Sequence, residues 1–166
     1  MKTTNSGIDI RAAVAGDIEN LAALWFDGWQ DAHATILPAD LARYRTLESF
    51  ANRLEALLGS TRVVGPPSAP CGLCITTGDE LYQLYVSAQS RGAGVAAALI
   101  SDAETRLAER GVHTAWLACA IGNERAAKFY QKCGWLRAGT MVIQLETPAG
   151  MFPLNVWRYE KRLRET

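Results

Sequence analysis

The segment RGAGVAAAL, Arg91 to Leu99, follows the apolar run ELYQLYV, Glu80 to Val86. The run reads as a strand, and the residues after the glycines read as a helix. A turn built on Gly92 and Gly94 between them leaves bare backbone N–H groups at the positive end of a helix, the arrangement that receives phosphate. Small residues at this place also suit a close helix–strand packing turn. Under either reading a strand leads directly into a helix, so the chain is constrained to a mixed α/β fold.

The flanking patterns extend that frame. Val95, Leu99, Ala103 and Leu107 recur at i, i+4, i+8 and i+12 and predict one apolar helix face, ended by Gly111. Upstream, Asp17 is the expected N-cap of a helix carrying Ile18, Leu21, Leu24, Trp25 and Trp29, interrupted by Pro38. A second helix is expected from Leu47 to Leu58, with Phe50 and Leu54 inward and Gly59 as its stop. TRVV, CGLCITT and ELYQLYV read as strands. HTAWLACA is a further strand, and GNERAAKFYQKCGW a short helix with Asn123 as N-cap and Gly134 past its end. The chain closes with a strand pair around TPAG. The predicted order is β-α-α-β-β-β-α-β-α-β-β, with no repeat, low-complexity tract or linker, and implies a single domain over residues 1–166 with a core of about 8–163.

Composition narrows the partners. The 166 residues carry 17 basic and 17 acidic side chains and no like-charge block, which argues against nucleic acid or an anionic membrane surface. No apolar run approaches the roughly 20 residues that cross a bilayer, and the N-terminus lacks the apolar core of a secretory signal. A cytoplasmic protein is expected. Cys71 and Cys74 form a C-x-x-C, but no second pair follows and His33 and His113 are isolated. A zinc site needs about four ligands, so these are read as buried reduced thiols with no metal.

Gly92-Ala93-Gly94-Val95-Ala96-Ala97 also fits the dinucleotide pattern G-x-G-x-x-A. That pattern normally opens its domain and needs an acid at the end of the next strand. Here it lies past mid-chain, and the following strand ends Ala118-Cys119-Ala120 with no acid before Glu124. NAD or FAD binding is therefore disfavoured.

From Glu80 to Ala138 the chain resembles the GNAT superfamily of N-acetyltransferases. Arg91-Gly92-Ala93-Gly94-Val95-Ala96 matches the family's pyrophosphate signature Q/R-x-x-G-x-G/A. Gln89 could start the same signature, but the spacing from Val86 to Arg91 selects the Arg91 register. A second signature follows in order, from Asn123 through Ala126, Phe129 and Tyr130 to Gly134-Trp135. Ala88 stands where proline is frequent, and Trp135 where phenylalanine is commoner.

The resemblance implies a GNAT-like acyltransferase fold: a central, mostly antiparallel twisted sheet with a splayed parallel strand pair, flanked by helices. It implies acetyl-CoA as co-substrate. The backbone of Leu84, Tyr85 and Val86 would pair with the pantetheine arm, and the amides of Arg91, Gly92, Ala93, Gly94, Val95 and Ala96 would hold the pyrophosphate. Asn123 would contact the arm near the opening, unless it only caps its helix. The Val86 N–H would serve the oxyanion and Tyr130 would protonate the leaving sulfur.

Glu80, six residues before Val86 and on its face by the period of two, matches the place of a glutamate base in some members. Water-relayed deprotonation is the alternative, and Asp79 is expected on the other face. Trp29 and His33, with Trp25, Tyr44 and Trp157 nearby, are candidates for the acceptor side. The resemblance implies an amine of a small molecule or a peptide as acceptor, and a homodimer, which similar proteins often form. A non-catalytic acyl-CoA-binding module of the same fold is the competing reading.

Overall fold

The computed structural model describes residues 7–163. The strands are β1 (Ile10–Ala12), β2 (Thr61–Val64), β3 (Gly72–Thr77), β4 (Glu80–Val86), β5 (Thr114–Ala120), β6 (Leu136–Thr147) and β7 (Gly150–Arg162). The helices are α1 (Ile18–His33), α2 (Ala39–Tyr44), α3 (Leu47–Ala56), α4 (Val95–Glu109) and α5 (Glu124–Lys132). One sheet joins all seven strands in the order β1-β2-β3-β4-β5-β7-β6. Every neighbouring pair is antiparallel except β4 and β5. This is the mixed α/β, mostly antiparallel architecture with one parallel pair that the motifs imply.

Helices cover both faces. The stripe Val95, Leu99, Ala103 and Leu107 is buried and packs, with Tyr130 and Trp135 after it, on one face of the sheet. Trp25, Trp29, Leu41, Phe50 and Leu54 form the second cluster on the other face. Helix α4 sits hard against β3: a Cβ on Gly72 would come within 2.7 Å of Val95 Cγ1 and 2.9 Å of Leu99 Cδ1. That close approach sets the first turn of α4 beside the end of β4.

Local expectations differ from the structure at a few points. Asp17 stands before α1 but makes no side-chain cap. Its fully buried carboxylate instead accepts from Arg11 Nη1 and Nη2, each at 2.8 Å, and from the Val14 N–H at 2.8 Å. The Arg11 guanidinium holds that carboxyl below its ordinary range. Arg11 also donates to the Gly65 carbonyl, so the pair ties the sheet edge to the entry of α1. Past Pro38 the chain forms the extra helix α2. Helix α3 ends with Leu57 as its cap, and Gly59 lies in a separate 3-10 turn, Leu58–Ser60.

Cys71 is half-buried and Cys74 buried, and both are free. Burial pushes the Cys74 thiol up to about 12. No helix among the described residues is long and apolar enough to cross a membrane.

Candidate active site

Strands β4 and β5 meet at one end only. Glu80 pairs with Trp116, and the Trp116 N–H donates to the Asp79 carbonyl at 3.2 Å. Asp79 also accepts from Trp116 Nε1 at 2.9 Å, which pins the closed end. Beyond it the strands splay. Ser87 N–H donates to the Cys71 carbonyl at 2.9 Å. Since antiparallel ladders alternate, the N–H and C=O groups of Leu84 and Val86 then face the splay and those of Tyr85 face β3.

The loop after β4 is anion-receptive for a local reason. Gly92 and Gly94 have φ of +83° and +87°, where a side chain would be strained. Arg91 and Ala93 spend their amides on the Ala88 and Ser90 carbonyls. Among the described residues, the Gly92, Gly94, Val95 and Ala96 N–H groups lie outside the backbone ladder, at the α4 N-terminus. The presented amides are thus fewer than the continuous Arg91–Ala96 set expected from the motif. A Cβ on Gly92 would meet nothing within 4 Å, so the cradle is open.

These groups line a cleft of about 430 Å³ with Leu84, Tyr85, Val86, Arg91, Asn123 and Tyr130. Asp31 on α1 bridges two arginines of its rim, accepting from Arg91 Nη2 at 2.6 Å and Arg125 Nη2 at 2.9 Å. Asn123 does cap α5, its Oδ1 accepting from the Ala126 N–H at 3.3 Å, and it lines the cleft as well. Both roles foreseen for it are geometrically compatible.

On the far side of the splay lies a second cavity of about 150 Å³. Leu84, Tyr85, Asn123, Ala126 and Tyr130 line both spaces, so the two meet around the end of β4. Tyr130 is 9 % exposed. Burial raises its hydroxyl pKa well above the ordinary phenol value, so it stays protonated.

Glu80 lines the second cavity, where burial pushes its carboxyl up to about 7 while the Thr77 hydroxyl, donating at 3.5 Å, opposes the shift. Glu80 and Val86 do not share a face. The β3–β4 register passes from Ile75–Gln83 to Thr76–Leu81, a bulge that skips Tyr82. The bulge resets the alternation: Val86 packs with the α4 cluster, whereas Glu80 shares the cavity with Tyr82 and Tyr85.

Trp25, Trp29 and His33 line the second cavity, with the His33 ring 5.2 Å from that of Trp29. Burial lowers the His33 pKa to about 4, leaving it neutral. Tyr44 lies instead in an adjoining surface groove. Trp157 packs with the α4-side cluster, under the Arg137 guanidinium 3.8 Å from its ring. Sequence reasoning overlooks Arg45, Arg53 and Tyr82 in the cavity and Asp31 and Arg125 at the mouth. Only Arg125, inside the second signature, carried a local signal. Among the described residues no group of three or more His, Cys, Asp or Glu is arranged to hold a metal.

Residues 19–135 match the Acetyltransferase (GNAT) family. An uncharacterized N-acetyltransferase of Mycobacterium bovis is 30% identical over 118 residues, covering 68% of this chain and 72% of that protein. The fold is similar to the GCN5-related N-acetyltransferase from Rhodopseudomonas palustris, with a TM-score of 0.73, 20% identity and 98% of each chain covered. It is also similar to the PaiA N-acetyltransferase from Thermoplasma acidophilum in complex with coenzyme A, with a TM-score of 0.68, 20% identity and 93% and 98% covered. A splayed parallel pair, a glycine cradle before α4 and the match across both signatures lead to one assignment: the chain belongs to the acetyltransferase (GNAT) family and is an N-acetyltransferase.

Proposed function

We propose that this chain, as a single domain, moves the acetyl group of acetyl-CoA to a primary amine of a small molecule or peptide by direct attack in a ternary complex. The observation that carries the reading is the splay of β4 from β5, whose cleft holds both the free amides and Tyr130 and meets the second cavity around the end of β4. A coenzyme A complex of a protein with the same fold supports the choice of co-substrate.

Bound acetyl-CoA supplies a thioester activated toward amines. Gly92, Gly94, Val95 and Ala96 would hold its pyrophosphate through backbone N–H groups, with Arg91 and Arg125 adding charge at the mouth. Leu84 and Val86 would bind the pantetheine amides as an added strand, with Tyr85 between them and Asn123 facing them. The Val86 N–H donates to the carbonyl oxygen as negative charge develops there.

Glu80 receives the proton of the attacking amine, directly or through water. An alkylammonium has a pKa of about 10.4 in water, and a carboxylate raised to about 7 is a stronger base than an ordinary one. Tyr130 gives its phenolic proton to the departing sulfur. Trp29 and His33 line the acceptor side, where a neutral imidazole adds no charge. Chain pairing along the exposed edge strand β6, which carries Leu136 and Val142, would give the homodimer common in similar proteins.

Titration calorimetry with acetyl-CoA, CoA and NAD, followed by CoA-thiol release over an amine panel, tests the reading. Acetyl-CoA binding with amine-dependent thiol release is expected. Binding with no turnover on any amine would favour an acyl-CoA-binding module, and NAD binding without CoA binding would sink the assignment.

A further inference from the structure

Two guanidinium groups line the acceptor cavity, and neither has a carboxylate partner among the described residues. Arg45, just past α2, is 5 % exposed. Its hydrogen bond runs from Nη1 to the Glu146 carbonyl at 3.2 Å. A guanidinium has five N–H donors, and buried charges are normally paired. Arg53, on α3, lies over the rings of Trp25 and Tyr82 at 4.6 and 5.5 Å and donates to the Tyr82 hydroxyl.

Burial, and then the like charge of Arg53, both press against the charged form of Arg45. The like charge of Arg53 therefore aggravates rather than relieves the burial of Arg45. Elsewhere the same fold does pair its buried charge, as Asp17 with Arg11 shows.

We infer that the acceptor supplies the missing anion: it is an amino acid, a primary amine that carries its own carboxylate. The carboxylate rests on Arg45 and Arg53, and the amine turns toward Glu80, the one carboxylate lining the cavity among the described residues. Two cations and one acid at separate positions complement an ammonium–carboxylate pair. They repel a polycationic acceptor. The space of about 150 Å³ is about the size that holds a benzene ring, and Arg45, Arg53, Glu80 and Tyr82 line both it and the adjoining surface groove, which leaves room for a side chain. The inference rests on the acetyl-transfer reading and narrows its substrate class.

The test follows CoA-thiol release by the full chain, comparing common L-amino acids with their decarboxylated amines as acceptors. The best amino acid should exceed its amine by about 10- to 100-fold in kcat/KM, the scale of hydrogen bonds to a charged group. Arg45→Met and Arg53→Met should each raise KM for the amino acid by a similar factor with kcat little changed. KM for the amine should stay level or fall, because a repelling cation is removed, which a merely structural role would not arrange. Should Arg45→Met fail to fold, Arg45→Lys and Arg53→Met carry the comparison.

Equal rates for acid and amine, or a preference for the amine, overturn the carboxylate assignment and leave acetyl transfer standing. If neither class turns over, calorimetry of the amino acids on the CoA-bound protein decides. Binding lost in Arg53→Met supports the inference, and no binding overturns it. Failure to bind CoA at all overturns both the acetyl-transfer reading and this one.

Discussion

The Arg91 guanidinium donates to the Asp31 carboxylate at 2.6 Å, across the mouth of the cleft from the loop to α1. Arg125 shares the same oxygen at 2.9 Å, and these hydrogen bonds, Arg125 first, lower the Asp31 pKa. In the proposed binding mode a pyrophosphate competes with Asp31 for both cations. Exposed ion pairs are worth about 0–1 kcal/mol, so Asp31→Asn should tighten CoA binding by up to about fivefold. The gain should shrink in high salt as screening grows. Weaker binding in the variant would mean instead that Asp31 orients the arginines.

In the proposed mechanism Tyr130→Phe removes the proton offered to the sulfur, and it leaves the ring packing against Phe129, Trp135 and Tyr159 intact. Loss of a general acid costs on the order of 10²–10⁴ in rate. A fall of that size in kcat is expected, with the CoA dissociation constant within about twofold. Steady-state kinetics beside calorimetry separates the two effects, and an unchanged kcat would remove Tyr130 from the chemistry.

Glu80 titrates near 7 rather than 4.5 because burial disfavours its charge. Activity that needs its carboxylate should fall as pH drops through about 7, and Glu80→Gln should abolish that limb of the profile.

The stability consequence of the same shift has the opposite sign from the usual carboxylate. Between about 4.5 and 7 the folded chain binds more protons than the unfolded one, so stability declines as pH rises through that window. The melting temperature of Glu80→Gln relative to the parent should therefore be higher at pH 8 than at pH 5. A parallel pH dependence of the two proteins would show that Glu80 is not perturbed.

Gly28 lies mid-helix in α1, where alanine would ordinarily be preferred by about 0.5–1 kcal/mol. A Cβ there would sit 2.5 Å from Tyr85 Cδ1 and 3.2 Å from two further ring atoms. Overpacking costs about 1–3 kcal/mol and outweighs the propensity gain. Gly28→Ala should lower the melting temperature by roughly 2–10 °C. Because Tyr85 lines both spaces, the variant should also weaken CoA binding. A stabilised variant would show that the ring moves freely.

Much of this protein is readable from its residues in order. The α4 stripe, the cap at Asn123 and the loop with Gly92 and Gly94 are local patterns. Periodicity, side-chain length and backbone freedom act within a few residues and are written in the chain. Other features were settled only when distant segments met. Asp17 has the chemistry of a cap, yet Arg11 captures it because β1 brings a guanidinium against it. Glu80 shares a face with Val86 by counting, yet a bulge against β3 turns it into the smaller cavity beside Tyr82 and Tyr85. The isolation of Arg45 is likewise tertiary. Whether a cation is paired depends on which side chains and how much water surround it, and those are decided by helices α2 and α3 closing against the β6–β7 hairpin.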